Sequence, residues 1–277
     1  MWWSGSWRVK DDESVDVAAE LESLGYGTLW SSGGFEPGLS AHFGRLLGAT
    51  TSMAVASGIV SIWRAPPAGL GPAARDLDAR YPGRFVLGLG ASHAPLVETY
   101  ARPYAHMVGY LDALDDGDAA VAPDRRVLAA LGPRMLRLAR DRAAGAHPYF
   151  VPVEHTARAR AELGPGPLLA PEVTVVLERD RTTARQVART FTARYLTLPN
   201  YTNNLRTLGF DDDDLTGGGS DRLVDAVVCW GDLEAIVPRV REHFAAGADH
   251  VCVQVVSPPS SFPMAQYRRL APALLDL

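Results

Sequence analysis

Apolar and polar positions follow two different periods along this chain. Some segments place apolar residues three and four apart, which predicts helices with one buried face. Leu233, Ile236, Val237, Val240 and Phe244 are an example. Between them stand short, nearly continuous apolar runs, the pattern of strands covered on both faces. A unit of helix, glycine and apolar strand recurs in LESLGYGTLW (21–30), ARYPGRFVLGLG (79–90), DRAAGAHPYF (141–150) and HFAAGADHVCVQVV (243–256). Gly25, Gly83, Gly145 and Gly247 stand where a helix C-cap is expected.

The strand candidates are Trp3–Trp7, Gly27–Trp30, Met53–Val60, Phe85–Leu89, Val127–Leu131, His147–Val151, Val173–Leu177 and Val251–Val256. The first is weakened by its Ser and Gly content, and the sixth by Pro148. Helices alternating with strands give an α/β fold with a parallel sheet. Eight strands at this spacing predict a (β/α)8 TIM barrel, a fold of about 250 residues. An open doubly wound sheet is the alternative. No linker divides residues 1–277, which read as one domain. The segment FDDDDLTGGGSD (210–221) reads as a solvated loop inserted late in the barrel.

In such folds chemistry gathers where strands end. Ser31, Ser32, Gly33 and Gly34 follow the second strand, Ser57 to Ser61 end the third, and Ala91, Ser92 and His93 follow the fourth. Gly132, Pro133 and Arg134 follow the fifth and open a helix. A strand-to-helix turn of this kind offers backbone N–H groups at a positive helix end, and Arg134 adds a full charge, so phosphate suits it. The same residues also fit an ordinary turn with proline at the first helical position. His93 titrates near neutrality and could polarise a ligand. His42 falls within an expected helix over 37–48 and His147 within a strand, while His155 could face the mouth. Asn200, Tyr201, Asn203 and Asn204 are either a cap and turn or part of the mouth.

Composition narrows the chemistry by what it leaves out. The chain is 47% hydrophobic and 21% charged, ordinary for a globular protein. Its 27 basic and 32 acidic residues give a net charge of −5, which favours neither nucleic acid nor an anionic membrane. Two cysteines, Cys229 and Cys252, lie on apolar segments and read as buried free thiols. The start, MWWSGSWRVKDD, lacks the pattern of a signal peptide, so a cytoplasmic enzyme is expected. There is no HExxH, paired CxxC, phosphate-loop or GxSxG pattern, and GLGASH is a poor dinucleotide fingerprint.

The segments AELESLGYGTLW (19–30), ASGIVSIW (56–63), YPGRFVLGLGASHAPLVE (81–98), AALGPRMLRLARDRAAGAHPY (129–149), LPNYTNNLRTLGF (198–210), SDRLVDAVVCWGD (220–232) and AAGADHVCVQV (245–255) together resemble the luciferase-like flavin monooxygenase superfamily. Within it the chain is similar to the branch of oxidoreductases that use the deazaflavin coenzyme F420. That resemblance implies a barrel with the cofactor at the carboxyl ends of its strands. It implies a non-prolyl cis peptide at Gly58-Ile59 under the deazaflavin ring, and phosphate at Leu131, Gly132, Pro133 and Arg134. It places Ser31 and Ser32 near the ring, at positions where other members carry Asp or His, sets Ser92 beside that ring, and gives His93 a catalytic role toward a small-molecule substrate. It also implies a homodimer. FMN in place of F420, as in a monooxygenase, and a cofactor-binding protein without turnover are the alternatives.

Overall fold

Every strand pairs parallel to its neighbours in this computed structural model, which describes residues 1–3, 11–32, 38–256, 262–275 and 277. One sheet runs β1 (Trp2–Trp3), β2 (Thr28–Ser31), β3 (Ala54–Ser57), β5 (Phe85–Gly90), β6 (Arg126–Leu128), β7 (Gly145–Ala146) and β8 (Leu168–Leu169), with β4 (Val60–Ser61) also on β5. A second joins β10 (Val228–Trp230), β9 (Glu172–Val176) and β11 (Cys252–Val255), with β9 in the middle. β3 and β4 are two parts of one barrel strand, and so are β8 and β9, parted at Ala170 and Pro171. Counted so, the hoop has eight members among the described residues, and β10 is an extra strand on the edge of β9 away from β11.

The seam between β11 and β1 is held by a side chain. The Tyr267 hydroxyl accepts from the Val255 N–H at 3.1 Å. It also faces the carbonyl oxygens of Trp2, at 3.2 Å, and Val253, at 3.3 Å, which compete for its single proton. Tyr267 belongs to α11 (Met264–Leu274), the last helix.

Alternation along each strand divides the core into two layers. Trp2, Trp30, Ala56, Val127, Ala170 and Cys252 pack together inside the barrel, large indoles against small residues. Leu29, Val55, Leu87, Leu89, Leu128, Val175 and Val253 face outward under the helices. Those helices are α1 (Asp11–Ser23), α2 (Leu39–Gly48), α3 (Pro67–Arg80), α4 (Pro103–Asp115), α5 (Pro133–Arg142), α6 (Val153–Leu163) and α10 (Leu233–Ala245), besides α11. Gly25 (φ 95°) and Gly247 (φ 101°) are the expected left-handed C-caps, each followed by an N–H bonded five residues back.

Several boundaries differ from the sequence reading. The first described strand is Trp2–Trp3, and the rest of the expected strand, to Trp7, lies outside the described residues. The sixth strand is Gly145–Ala146, ending before Pro148, which has no N–H to give a ladder. Gly145 therefore sits in a strand, where a Cβ would fall 1.9 Å from the Leu168 carbonyl oxygen.

The expected loop over 210–221 carries no helix or strand as far as Ser220, and it lies within a larger helical insertion. After β9 come α7 (Arg181–Tyr195), α8 (Pro199–Thr207) and α9 (Asp221–Val227), then β10. Tyr201, Leu205, Phe210, Leu223 and Val224 give this segment its own apolar cluster. Its acidic run is not simply solvated: Asp214 accepts from the Ser220 hydroxyl at 2.5 Å and pairs with Arg222.

Candidate functional site

The fourth barrel strand, β5, packs closely because it carries glycines. A Cβ on Gly88 would lie 2.0 Å from the Ser57 carbonyl oxygen, and one on Gly90 would lie 2.4 Å from Ile59 Cδ1. The neighbouring strand breaks between β3 and β4 at the Gly58–Ile59 peptide, which is cis. Beyond β5 the chain turns through Ser92, a non-glycine residue in the left-handed region at φ 55°. Trp63, stacked at 4.0 Å on His106, donates from Nε1 to the Ala91 carbonyl at 2.6 Å and fixes this exit.

These strand ends open on a cavity of about 620 Å³. Gly58, Ile59, Ser92, His93, Leu131, Gly132, Pro133 and Arg134 all line it. Ser31 and Ser32 do not. The Ser31 hydroxyl lies 2.9 Å from His42 Nε2, and Ser32 donates to the Trp3 carbonyl at 3.1 Å. Gly33 and Gly34 lie outside the described residues. Six aromatic side chains, Trp2, Tyr100, Tyr104, Tyr149, Tyr195 and Tyr201, stand in its walls.

The Gly132 turn N-caps α5 with a backbone any residue adopts, φ −85° and ψ 159°. A Cβ on Gly132 would meet nothing within 4 Å, so the turn stands open on that side. Arg134, exposed, holds its guanidinium 4.1 Å from the Tyr104 ring centroid. Behind the turn lies His155, fully buried in α6 rather than facing the mouth. Its Nε2 lies 2.9 Å from the Leu131 carbonyl, an acceptor, so this nitrogen carries the proton. Burial pushes that ring down to about 4, hence neutral.

His93 is half-buried, and burial lowers its pKa below the ordinary value. Its ring is neutral near pH 7 and its Nδ1 has no hydrogen-bond partner. The Tyr201 ring stands 4.9 Å away. His147 also lines the cavity; its Nδ1 lies 2.7 Å from the Ala170 carbonyl, and its ring stacks on Trp30 at 4.1 Å.

The asparagine-rich segment is α8, and it acts in two ways. Asn200 and Tyr201 line the cavity, whereas Asn203 accepts from Arg206 at 3.2 Å. Sequence reasoning missed Tyr149 and Tyr195. Their chain positions carry no local signal, because it is the insertion's folding that brings Tyr195 to the barrel mouth.

Among the described residues no group of side chains could hold a metal ion, and no helix is long and apolar enough to cross a membrane. Both cysteines are free and buried, and burial raises the Cys229 thiol to about 12.

The family model for luciferase-like monooxygenases matches residues 9–250. No curated protein matches the chain in sequence. Among solved structures it resembles an F420-dependent secondary alcohol dehydrogenase in complex with an F420-acetone adduct (TM-score 0.72, 16% identity, covering 96% of each chain). It also resembles the coenzyme F420-dependent tetrahydromethanopterin reductase of Methanopyrus kandleri (0.74, 15%, covering 97% of this chain and 96% of the other). A third is the oxygenating constituent of 3,6-diketocamphane monooxygenase from Pseudomonas putida, in complex with FMN (0.65, 15%, covering 94% and 90%). At these identities the likeness carries the fold.

Proposed function

The chain belongs to the luciferase-like monooxygenase family, and we propose that within it this oxidoreductase uses the deazaflavin coenzyme F420 on a small organic substrate. The observation that carries this reading is one cavity joining the cis Gly58–Ile59 peptide to the open Gly132 turn. Its residues fit such a cofactor. The space is that of an ordinary ligand pocket, its walls carry aromatic side chains, and Gly132 leaves room for an anion beside the α5 N-terminus. Bound there, a deazaflavin supplies a carbon that takes up or gives back a hydride.

The chain's own residues orient and exclude. Gly58, Ile59 and Leu131 to Arg134, which line the same cavity, would hold such a cofactor, the first pair at its ring and the turn at its phosphate. Ser92 shapes the exit of β5 rather than supplying charge. His155 fixes the carbonyl just before the phosphate turn. His93, neutral by burial, polarises a substrate oxygen through a hydrogen bond and not as an imidazolium.

F420 over FMN is supported by the likeness of the chain's segments to the F420-using branch. Arg134 is the one cationic side chain among the described lining residues. Titration of the purified protein with F420 and with FMN, followed by fluorescence, tests the reading. F420 is expected to bind at least tenfold more tightly; preference for FMN would overturn it.

A further inference from the structure

Three tyrosines, Tyr149, Tyr195 and Tyr201, meet in the inner wall of the cavity. Two have committed their hydroxyls. Tyr149 Oη lies 2.8 Å from Gln254 Oε1, which only accepts, and 2.7 Å from Tyr195 Oη. The Tyr149 proton therefore goes to Gln254, and Tyr195 donates its own to Tyr149. Neither has a proton left for a ligand.

Tyr201 is different. No hydrogen bond within the described residues uses its hydroxyl, and that oxygen is not among the buried polar atoms sealed off without a partner. Its ring is held edge-on against Phe150 at 5.4 Å and Tyr195 at 5.5 Å, beside His93 at 4.9 Å. One residue earlier, Asn200 Nδ2 donates to the Ser92 carbonyl at 3.2 Å and ties α8 to the β5 exit. A phenol fixed this way is preorganised to donate. Burial raises its pKa well above the ordinary value, so it stays protonated.

Around this hydroxyl the described lining holds no carboxylate, and its one guanidinium stands on an exposed residue at the phosphate turn. A charged ligand group here would lie uncompensated, whereas a neutral oxygen would be matched.

We propose that Tyr201 is a substrate-contacting residue whose hydroxyl donates a hydrogen bond to the oxygen of a neutral carbonyl compound or alcohol, beside His93. The assignment to a substrate rests on the oxidoreductase reading above; the hydroxyl's availability does not. Acetophenone and ethylbenzene serve as probes, alike in size but differing in the carbonyl oxygen. Their affinities are measured by tryptophan quenching for the wild type and Tyr201→Phe, with and without F420. Acetophenone should bind the variant about five- to tenfold more weakly, the loss of one neutral hydrogen bond, while ethylbenzene is unchanged. An unchanged melting temperature shows that the variant folds. Equal acetophenone affinity in both proteins, an equal loss for ethylbenzene, or no acetophenone binding to the wild type each overturns the proposal. Failure of F420 to bind would overturn the cofactor reading and leave the comparison without F420 intact.

Discussion

The side-chain amide of Asn200 donates to the carbonyl oxygen of Ser92 across 3.2 Å, joining the insertion to the exit of the fourth barrel strand. Asn200→Ala should cost about 1 kcal/mol in urea unfolding, the usual net worth of such a bond. Ser92 itself stands at φ 55°, which suits glycine and penalises branching at Cβ. Ser92→Gly should therefore be near neutral, while Ser92→Val should lose about 1–2 kcal/mol. Equal losses for both would show that backbone conformation is not what matters there.

Gly132 separates folding from binding. With φ −85° and no atom near its missing Cβ, Gly132→Ala should leave the melting temperature within about 2 °C of wild type, since it removes no contact. If the turn receives a phosphate, the added methyl should still weaken F420 by tenfold or more. Arg134→Gln should weaken it by a similar factor and reduce the salt dependence of binding. Unchanged dissociation constants for both would remove the phosphate from this turn.

Gly145→Ala is expected to behave in the opposite way. The new methyl would fall 1.9 Å from backbone at Leu168, and φ is 156°. No side chain can move aside, so the β7–β8 pairing must yield. A loss of about 3 kcal/mol or more, seen as poor expression or a collapsed unfolding midpoint, is the expected result.

Two carboxyls give stability opposite pH dependences. Partial burial pushes Glu22 up, but hydrogen bonds from the Thr51, Ser52 and Met53 N–H groups and the Ser52 hydroxyl outweigh it and hold the group at about 2. Its contribution is present above its ordinary value of 4.5 and is lost as pH falls from there toward 2. Glu172, 1% exposed, is pushed to about 7 by burial despite bonds from Thr174 and Phe150. Its contribution is present below 4.5 and is lost as pH rises through 7. In urea unfolding at pH 3, 5 and 8, Glu22→Gln should be destabilised mainly at pH 5 and 8. Glu172→Gln should gain on wild type between pH 5 and 8. Parallel curves would contradict both assignments.

The barrel was legible wherever one residue type settles the local structure. Gly25 and Gly247 mark helix ends, and the run from Phe85 to Gly90 reads as a doubly covered strand because it is one. Gly145 misled because a cap glycine and a strand glycine pressed against its neighbour look alike in one dimension. The loop at 210–221 was legible from its aspartates and glycines, but the helical insertion around it was not, because apolar residues such as Leu205 and Leu223 find each other only in three dimensions. The phosphate-type turn and His93 stood out because strand ends carry chemistry in this fold. The aromatic wall depends on contacts such as Tyr149 with Tyr195, 46 residues apart, and local pattern does not reach that far.

The Tyr267 hydroxyl works as a latch between β1 and β11. It reaches the Trp2 carbonyl across 265 residues and serves β11 as well. During synthesis, β1 to β9 can line up as an open, curved sheet, but that sheet has two unsatisfied margins until β11 and α11 have left the ribosome. The nascent protein thus passes through a stage with exposed strand edges, when chaperone capture or wrong pairing competes with closure. Completion of the hoop waits for β11 and α11.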